Sequence, residues 1–577
     1  MDRLEALFTL YLNGKIPRRT VIRRAIAFGL AGPALVQFLA ACSRAPAPAP
    51  PPTSAPAAPA PTTGGPAPTA APAPTAAPAV AKGGTFIVAH ADNPQNLNPF
   101  HPDIPVDELN QRQLFEGLLV LDQDFNLEPT LAESYEVSDD NKVYTFKLRP
   151  GVKFHNGDEF GAEDVVYTWQ WAMKPENASA SLSRFDQVEK VEAPDAETVR
   201  VTLKSPSGPF LRRTATHGIV PHKYHASMSP EEFNQAPVGT GPFKFKEWVP
   251  GDHVSYVAFD GYWAGRPAID EFRQVVIPED SVRAVALRTG EIHSSAWPLA
   301  PDDTLDLLED PNFTVYRAPG LELSHIQINQ KRKPFQDPAV RKALMYGMDR
   351  EAMRRDIMRE LATLAQTNLS PALSDFYDPN VTQYAQDLDK AAALLDEAGW
   401  VPGSDGIRAK DGDRLDFVLL MIQGDEIRPP QAELAIESWK KIGVQARIER
   451  AEVGTFVDKI FGAADFDLAF YNWTYGGKDG DPDAFPQLAC DGSDNHTAWC
   501  NQKATELLKR GLETVDDAER RAIYSDFQKL FAEEVPFLYI MFWDDIIFIS
   551  KKVQGLPGSA RRPRGILNEI QHATLTA

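Results

Sequence analysis

The stretch Leu127–Met173, LEPTLAESYEVSDDNKVYTFKLRPGVKFHNGDEFGAEDVVYTWQWAM, decides how the rest of the chain reads. Val143-Tyr-Thr-Phe-Lys-Leu148 alternates β-branched and aromatic residues with polar ones, the two-residue period of a half-buried strand. Pro150-Gly151 breaks that strand, Val152-Lys-Phe154 resumes it, and Asn156-Gly157-Asp158 is a strong turn signal. Glu163 and Asp164 then place acids in the first turn of a helix, at the positive end of its dipole. Val165, Val166, Trp169 and Met173 share one face of that helix. Strand, turn and amphipathic helix form one packed α+β unit with no catalytic pattern in it.

The chain is too long for a single hydrophobic core at 577 residues, so lobes or domains are expected. Its formal charge is −21, and the first 41 residues hold six basic against two acidic side chains. The remainder is therefore more acidic still, which disfavours nucleic acid and anionic membrane surfaces as partners.

Export is written at the start. Arg18-Arg19-Thr20-Val21-Ile22-Arg23 fits a twin-arginine pattern, although basic starts also serve the general secretion route. Ala25 to Ala41 is apolar but interrupted by Gly29, Gly32 and Pro33, too short and broken for a spanning helix, and reads as a signal-peptide core. Leu39-Ala40-Ala41-Cys42 resembles a lipobox, in which cleavage leaves a lipidated Cys42 at the new amino terminus. Two or three acyl chains suffice for stable anchoring where one is marginal. Ser43 to Lys82 is Pro/Ala/Thr low complexity and cannot bury a core. As a semi-extended spacer it reaches on the order of 100 Å.

Beyond the tether, ordered segments carry a resemblance. They are Leu114-Phe-Glu-Gly-Leu118, Pro129-x-Leu-Ala-Glu133-Ser134, Tyr144-x-Phe-x-Leu-Arg-Pro-Gly-Val-Lys-Phe-His-Asn-Gly157 and Glu163-Asp-Val-Val166. Val238-Gly-Thr-Gly-Pro-Phe-Lys-Phe245, Gly261–Asp270, Pro334–Leu344 and Met348-Asp-Arg350 follow in register. Together they resemble the extracellular solute-binding proteins of the peptide/nickel (dipeptide and oligopeptide) class that serve ABC importers, over nearly everything from Gly83 to Val553.

Elements follow along the chain. Strands are expected at Lys82–Ala89, Thr198–Leu203, Ile219–His222, Phe272–Ile277, Phe417–Met421, Val444–Ile448, Phe466–Trp473 and Pro536–Phe542. Helices are expected from Ser281, capped by that serine and stopped by Gly290, after the Asp337-Pro338 cap, and over Ala391–Gly399, Gln431–Ile442 and Arg520–Glu533. The alternation indicates an α/β chain. The resemblance implies a two-lobed periplasmic-binding-protein-like fold with an extra α+β domain and a cleft between the lobes. It divides the chain into a signal peptide (1–41), a tether (42–82), lobe I (83–113 with 238–320 and 544–577), the extra domain (114–237) and lobe II (321–543).

The loop Trp473-Thr-Tyr-Gly-Gly-Lys-Asp-Gly-Asp-Pro-Asp-Ala-Phe485 is the first candidate for ligand contact, with Trp473, Tyr475, Lys478 and Asp479 as its residues. In peptide-binding relatives an Asp three places before the Asp-Pro pair clamps the peptide ammonium. Here Lys478 holds that place and Asp479 is one residue late. Either an insertion lets Asp479 serve, or the clamp is reversed in charge and suits a carboxylate, phosphate or polar sugar-like ligand. A third reading makes Asp481 and Asp483 mere caps of the next helix and Trp473 a core aromatic. Trp297 and Tyr475 offer stacking faces or ordinary packing. Asn93 lies in the loop His90–Phe100, which the resemblance places at the cleft border. A buried arginine could fork onto a ligand carboxylate, but no single position stands out.

His217, His222 and His225 cluster without a completing Cys or carboxylate pattern, so no metal and no cofactor is expected. Cys490 and Cys500, with nine residues between them, are the even pair left once Cys42 is lipidated, and an exported chain favours a disulfide. No Gly-x-Ser-x-Gly elbow, phosphate loop, dinucleotide fingerprint or His-Glu-x-x-His is present.

The expected function is a substrate-binding lipoprotein of an ABC importer, not an enzyme. It captures a peptide-like or other small polar solute by hinge closure and hands it to a membrane permease, with the ATPase a separate partner. It is expected to be a monomer on the outer face of the cytoplasmic membrane, or in the periplasm. Oligosaccharide or anionic ligands are the alternative, Ni²⁺ chelates and haem stand lower, and a cell-surface hydrolase lowest.

Overall fold

A computed structural model describes residues 80–576 except 82, 102, 103, 478 and 560. The signal segment, Cys42, the tether and Lys478 lie outside the described residues.

The chain walks through the fold in order. β1 (Thr85–His90) leads to α1 (Pro105–Leu114). The next strands, β2 (Ala132–Val137), β3 (Val143–Leu148), β4 (Val188–Asp195) and β5 (Thr198–Leu203), form a separate antiparallel sheet ordered β2-β3-β5-β4. α2 (Ala162–Ala172) sits between β3 and β4 in sequence and packs on this sheet, burying Val165 and Trp169. The strand and helix read from Leu127–Met173 are thus the heart of the extra domain. Val152–Phe154, expected to resume the strand, makes only a single bridge, Lys153 to Glu159, across the Asn156-Gly157 turn.

The chain then returns through β6 (Phe243–Val249), β7 (His253–Ala258), β8 (Glu271–Val276) and the short β9 (Ser294–Ser295). β10 (Phe313–Ile328) runs onward into α3 (Pro338–Gly347), β11 (Asp416–Ile422), α4 (Arg428–Lys441), β12 (Gln445–Ala451), β13 (Leu468–Trp473) and α5 (Asp517–Glu534). β14 (Leu538–Ser550) carries it back. Among the described residues the main path of the large sheet is β12-β11-β13-β10-β14-β9-β1-β8-β7-β6.

One end of this sheet anchors a core around Phe417, Trp439, Phe470 and Phe527, and the other a core around Phe86, Tyr256 and Phe272. Each lobe thus has its own apolar interior, and β10 and β14 are the two strands long enough to serve both. They pair antiparallel, but the register shifts between Pro319 and Leu323, where Pro319 faces Asp544 and Leu323 faces Phe542. A bulge of this kind bends a strand and loosens the local ladder. Gly320 sits in the shift, and a Cβ there would lie 2.3 Å from the Trp543 carbonyl oxygen, so the close approach requires glycine.

Several local expectations hold and others do not. Asp337 does cap α3, its carboxylate accepting from Ala339 N at 3.0 Å. The helix over Asp280–Thr289 has its N-terminal boundary at Glu279, two residues before the expected Ser281 cap, and Gly290 stops it at φ 72°. Ile219–His222 is no strand. Its backbone is satisfied elsewhere, Ile219 N donating to the Glu116 carbonyl at 2.9 Å and Val220 N to Thr168 Oγ1 at 3.2 Å, and His222 opens a short helix. The final strand runs to Ser550, well past Phe542, because its second half pairs with Phe313–Pro319 of β10.

Candidate ligand-binding site

Two adjoining cavities of about 550 and 420 Å³ open on either side of the β10–β14 bend. They share Gly320, Glu322, Asn472, Trp473 and Arg564. Residues before Gly320, among them His90, Ala296 and Trp297, form one wall, while Asn472, Trp473 and Thr474 at the end of β13 form the other. This is a cleft between lobes. Its size and its mix of aromatic walls with a few charges suit a small solute.

Trp473 lines both cavities, half-buried, with its ring 5.3 Å from Phe461 and 6.1 Å from Tyr471. Trp297 lines the smaller cavity and packs 4.9 Å from the His90 ring. His90 is pulled down to about 3, first by burial and then by the charges of Arg564 and Arg283, so it is a neutral group at the cleft wall.

Three sequence candidates are placed elsewhere. Tyr475 is 4 % exposed, stacks on Phe537 at 4.6 Å, and donates to Gln327 Oε1 at 3.1 Å. β13 ends at Trp473, so strand alternation no longer governs Tyr475, and the chain turns it into the lobe interior while Trp473 lines the cleft. Asn93 is tied into a turn, its Oδ1 accepting from Gly251 N at 2.7 Å and its amide donating to Pro94 O at 2.9 Å. Asp479 reaches across to the extra domain, where Arg213 Nε approaches its Oδ2 at 3.3 Å.

The neighbouring acids are also engaged within the protein. Asp483 takes Arg213 Nη2 at 3.1 Å, and Asp481 takes the Arg520 Nη2 on both oxygens at 2.9 and 2.7 Å. Asp483 Oδ1 also accepts from Phe485 N at 2.8 Å, at the start of the next helix. Burial raises the Asp479 carboxyl, but the Arg213 charge outweighs it and holds the group below its usual range. Burial pushes Asp481 up against the opposing pull of Arg520. The loop's acids bind the body of the protein together.

The charged lining of the cleft comes from residues that sequence reasoning did not single out. Arg112 and Glu108 project from α1, Glu322 stands beside the bend, and Arg561, Arg562 and Arg564 come from the C-terminal segment. Arg564 is taken up by Asp545, and Arg561 by Asp375 at 2.8 Å. Arg562 lies over the Phe125 ring at 5.5 Å and is pulled down to about 10, first by burial and then by the Arg112 charge. The run Ala560-Arg-Arg-Pro-Arg564 in so acidic a chain was the one available signal for this cluster.

A third cavity, of about 500 Å³, lies between α1 and the extra domain. Glu116 lines it, accepting from Tyr262 Oη at 2.8 Å and Trp263 Nε1 at 3.1 Å, and burial pushes its carboxyl up to about 7. Cys490 and Cys500 are joined with Cα atoms 4.4 Å apart, and the bridge closes the loop that follows the Trp473 segment. Among the described residues no group of three metal-ligating side chains converges, and no helix is long and apolar enough to cross a membrane.

The fold and cleft have relatives. Residues 126–496 match the model of the bacterial extracellular solute-binding proteins, family 5 (middle region). The chain is 32 % identical over 439 residues to di/tripeptide-binding protein 2 of Pseudomonas aeruginosa, covering 71 % of this chain and 80 % of that protein. It is 31 % identical over 479 residues to protein XP55 of Streptomyces lividans, covering 82 % and 85 %. Among solved structures, the oligopeptide-binding protein AppA of Bacillus subtilis, in complex with a nonapeptide, superposes with a TM-score of 0.74 at 26 % identity, covering 86 % of this chain and all of that one. The substrate-binding protein CtaP of Listeria monocytogenes gives 0.76 at 25 % identity with similar coverage. With the two-lobed architecture, the interlobe cleft and these matches together, the chain belongs to the bacterial extracellular solute-binding proteins of family 5.

Proposed function

We propose that the protein is the lipid-anchored binding component of an ABC importer, that its ligand is a peptide, and that the two lobes close on it about the β10–β14 bend. The observation that carries this reading is the cleft itself, whose walls come from separate cores joined through two strands that lose register at Gly320. A ligand touching both walls favours the closed arrangement by its differential contacts, and the bend is where backbone rotation costs least. The peptide assignment is supported by the Pseudomonas di/tripeptide-binding relative and by the nonapeptide in the Bacillus structure. Delivery would be to a membrane permease whose ATPase is a separate chain. Cys42 and the Pro/Ala/Thr tether would hold a monomeric body outside the cytoplasmic membrane.

Trp297, Trp473 and Trp543 all line the cleft, so closure should change intrinsic fluorescence. Titration with peptides of two to nine residues tests the assignment, with mass spectrometry of whatever copurifies. A flat response across that series, with a non-peptide recovered from the protein, would replace peptide by the recovered class. Peptide recovered cleaved rather than intact would point to a hydrolase. Cys42→Ala should release the protein from membranes; unchanged membrane association would remove the lipid anchor.

A further inference from the structure

The hairpin of Leu119–Leu121 and Leu127–Pro129 starts in one core and ends in the other. Leu119 at its base packs in the cluster of Phe86 and Tyr256, while Phe125 at its tip is 3 % exposed and belongs to the cluster of Phe417, Phe470 and Phe527. β10 and β14 carry the main chain between these cores. The Phe125 contact joins them a second time, without a covalent link.

The tip is built to hold that ring out. Asp122 Oδ1 accepts from the amides of Asp124 and Asn126, both at 2.8 Å, and Arg212 Nη1 donates to the Phe125 carbonyl at 2.6 Å. Phe125 sits at φ 64°, a left-handed conformation that strains a bulky residue and persists only where its surroundings impose it. On the receiving side stands Gly480, where a Cβ would lie 2.8 Å from that of Phe125, so the close approach requires glycine. Arg213, next to the arginine that holds the turn, reaches Asp479 at 3.3 Å and Asp483 at 3.1 Å in the same loop. The Trp473–Phe485 loop therefore receives the extra domain, with a gap for its ring and two acids for its arginine. A rotation about the β10–β14 bend that parts the two cores must withdraw Phe125 and separate Arg213 from those acids. Both residues stand outside the linings of the two cleft cavities.

We propose that Phe125 and Arg213 form a closure latch: they hold the two cores together in the closed state, let go on opening, and so keep part of the ligand-free protein closed without touching the ligand. The inference rests on the closure about the β10–β14 bend proposed above and adds what holds the closed state. It makes the two side chains positioning residues for binding, acting on the equilibrium between open and closed forms.

Ser183 of the extra domain and Lys509 on the opposite wall line one groove of about 360 Å³ beside Arg213, and both are exposed. Spin labels on Ser183→Cys and Lys509→Cys therefore read the opening of this seam as a distance, with no ligand added. The ligand-free parent should show a short and a long population. Phe125→Ala should shift their ratio toward the long one by about tenfold or more, the factor carried by a buried phenyl ring moved into water. Arg213→Gln should shift it in the same direction, and it serves as the test should the Phe125 variant fail to fold. Phe125→Leu, which keeps an apolar side chain, should retain most of the closed population. Trialanine at saturation should restore the short distance in each variant. Two populations that keep the parent's ratio in Phe125→Ala and Arg213→Gln would overturn the latch alone, and a fall in Tm with unmoved distances would make Phe125 an ordinary core residue. A single distance that neither variant nor trialanine moves would remove the closure reading and the latch together. A shift in the variants with no response to trialanine would support the latch and fail only the peptide assignment.

Discussion

The acidic loop after β13 offers the sharpest test of what holds this protein together and what holds its ligand. Asp481 and Arg520 form a pair whose side chains are 0 % and 1 % exposed. Arg520 also donates Nε to Gly511 O at 2.9 Å and lies over the rings of Phe376 and Tyr524 at 5.4 and 5.6 Å. Replacing Asp481 by Asn leaves a buried guanidinium without its counter-charge. Breaking such a pair from one side costs about 3–5 kcal/mol. The lower end applies here, because Asp481 is itself pushed up by burial and by the neighbouring Asp479 and Asp483, so part of its charge is already unfavourable. For roughly 500 folded residues melting as one unit, the unfolding entropy scale converts about 3 kcal/mol into a drop of about 3 °C in Tm. Calorimetric melting of the wild type, Asp481→Asn, and the double variant Asp481→Asn/Arg520→Met measures this. The double variant should recover much of the loss, since a methionine among Phe376 and Tyr524 leaves no unpaired charge. Ligand affinity of Asp481→Asn at 25 °C should match the wild type. An unchanged Tm with lost affinity would refute the reasoning and return the loop to the ligand.

Further tests address other parts of the fold. Gly320→Ala sets a Cβ against the Trp543 carbonyl, so the bend must shift; Tm should fall, and ligand-induced fluorescence change should shrink more than it does in a surface variant such as Lys509→Ala. Replacing Cys490 and Cys500 by Ser together releases a short loop and should cost about 3 kcal/mol by the chain-entropy account, read from denaturant unfolding with and without reductant. Glu116, raised to about 7, binds a proton in the folded state over a pH range where the unfolded chain has lost it. Its stability contribution is therefore present at low pH and disappears as pH rises from the ordinary glutamate range through about 7. Glu116→Gln should flatten that slope and be the more stable form at pH 8, by on the order of 1–3 kcal/mol. A slope unchanged in the variant would assign the pH dependence to another group.

How much of this was legible in the chain depends on how far apart the deciding residues lie. Val143–Leu148, α2, the Asp337 cap and the Gly290 stop are governed by neighbours within a turn or a strand, and local pattern read them with little error. The ordered motifs read the two-lobed architecture as well. Ile219–His222 was misjudged because its backbone partners, Glu116 and Thr168, belong to other segments. The site was harder for the same reason. Aromatic and acidic residues in the Trp473–Phe485 loop look alike in sequence, yet β13 stops at Trp473, which lines the cleft, and the loop beyond it turns Tyr475 inward onto Phe537. Arg213 and Arg520, remote in the chain, claim the acids.

Composition and local order were enough to read an acidic α/β chain, because periodicity and caps are short-range properties, and the ordered motifs carried its likeness to the solute-binding family. Which charges come together was a matter for the folded chain alone. Arg112 and Arg562 are 450 positions apart, and only the packing of the C-terminal segment beside α1 makes them neighbours. An ion pair is satisfied or left open by geometry in three dimensions, which no count of residues along the chain contains.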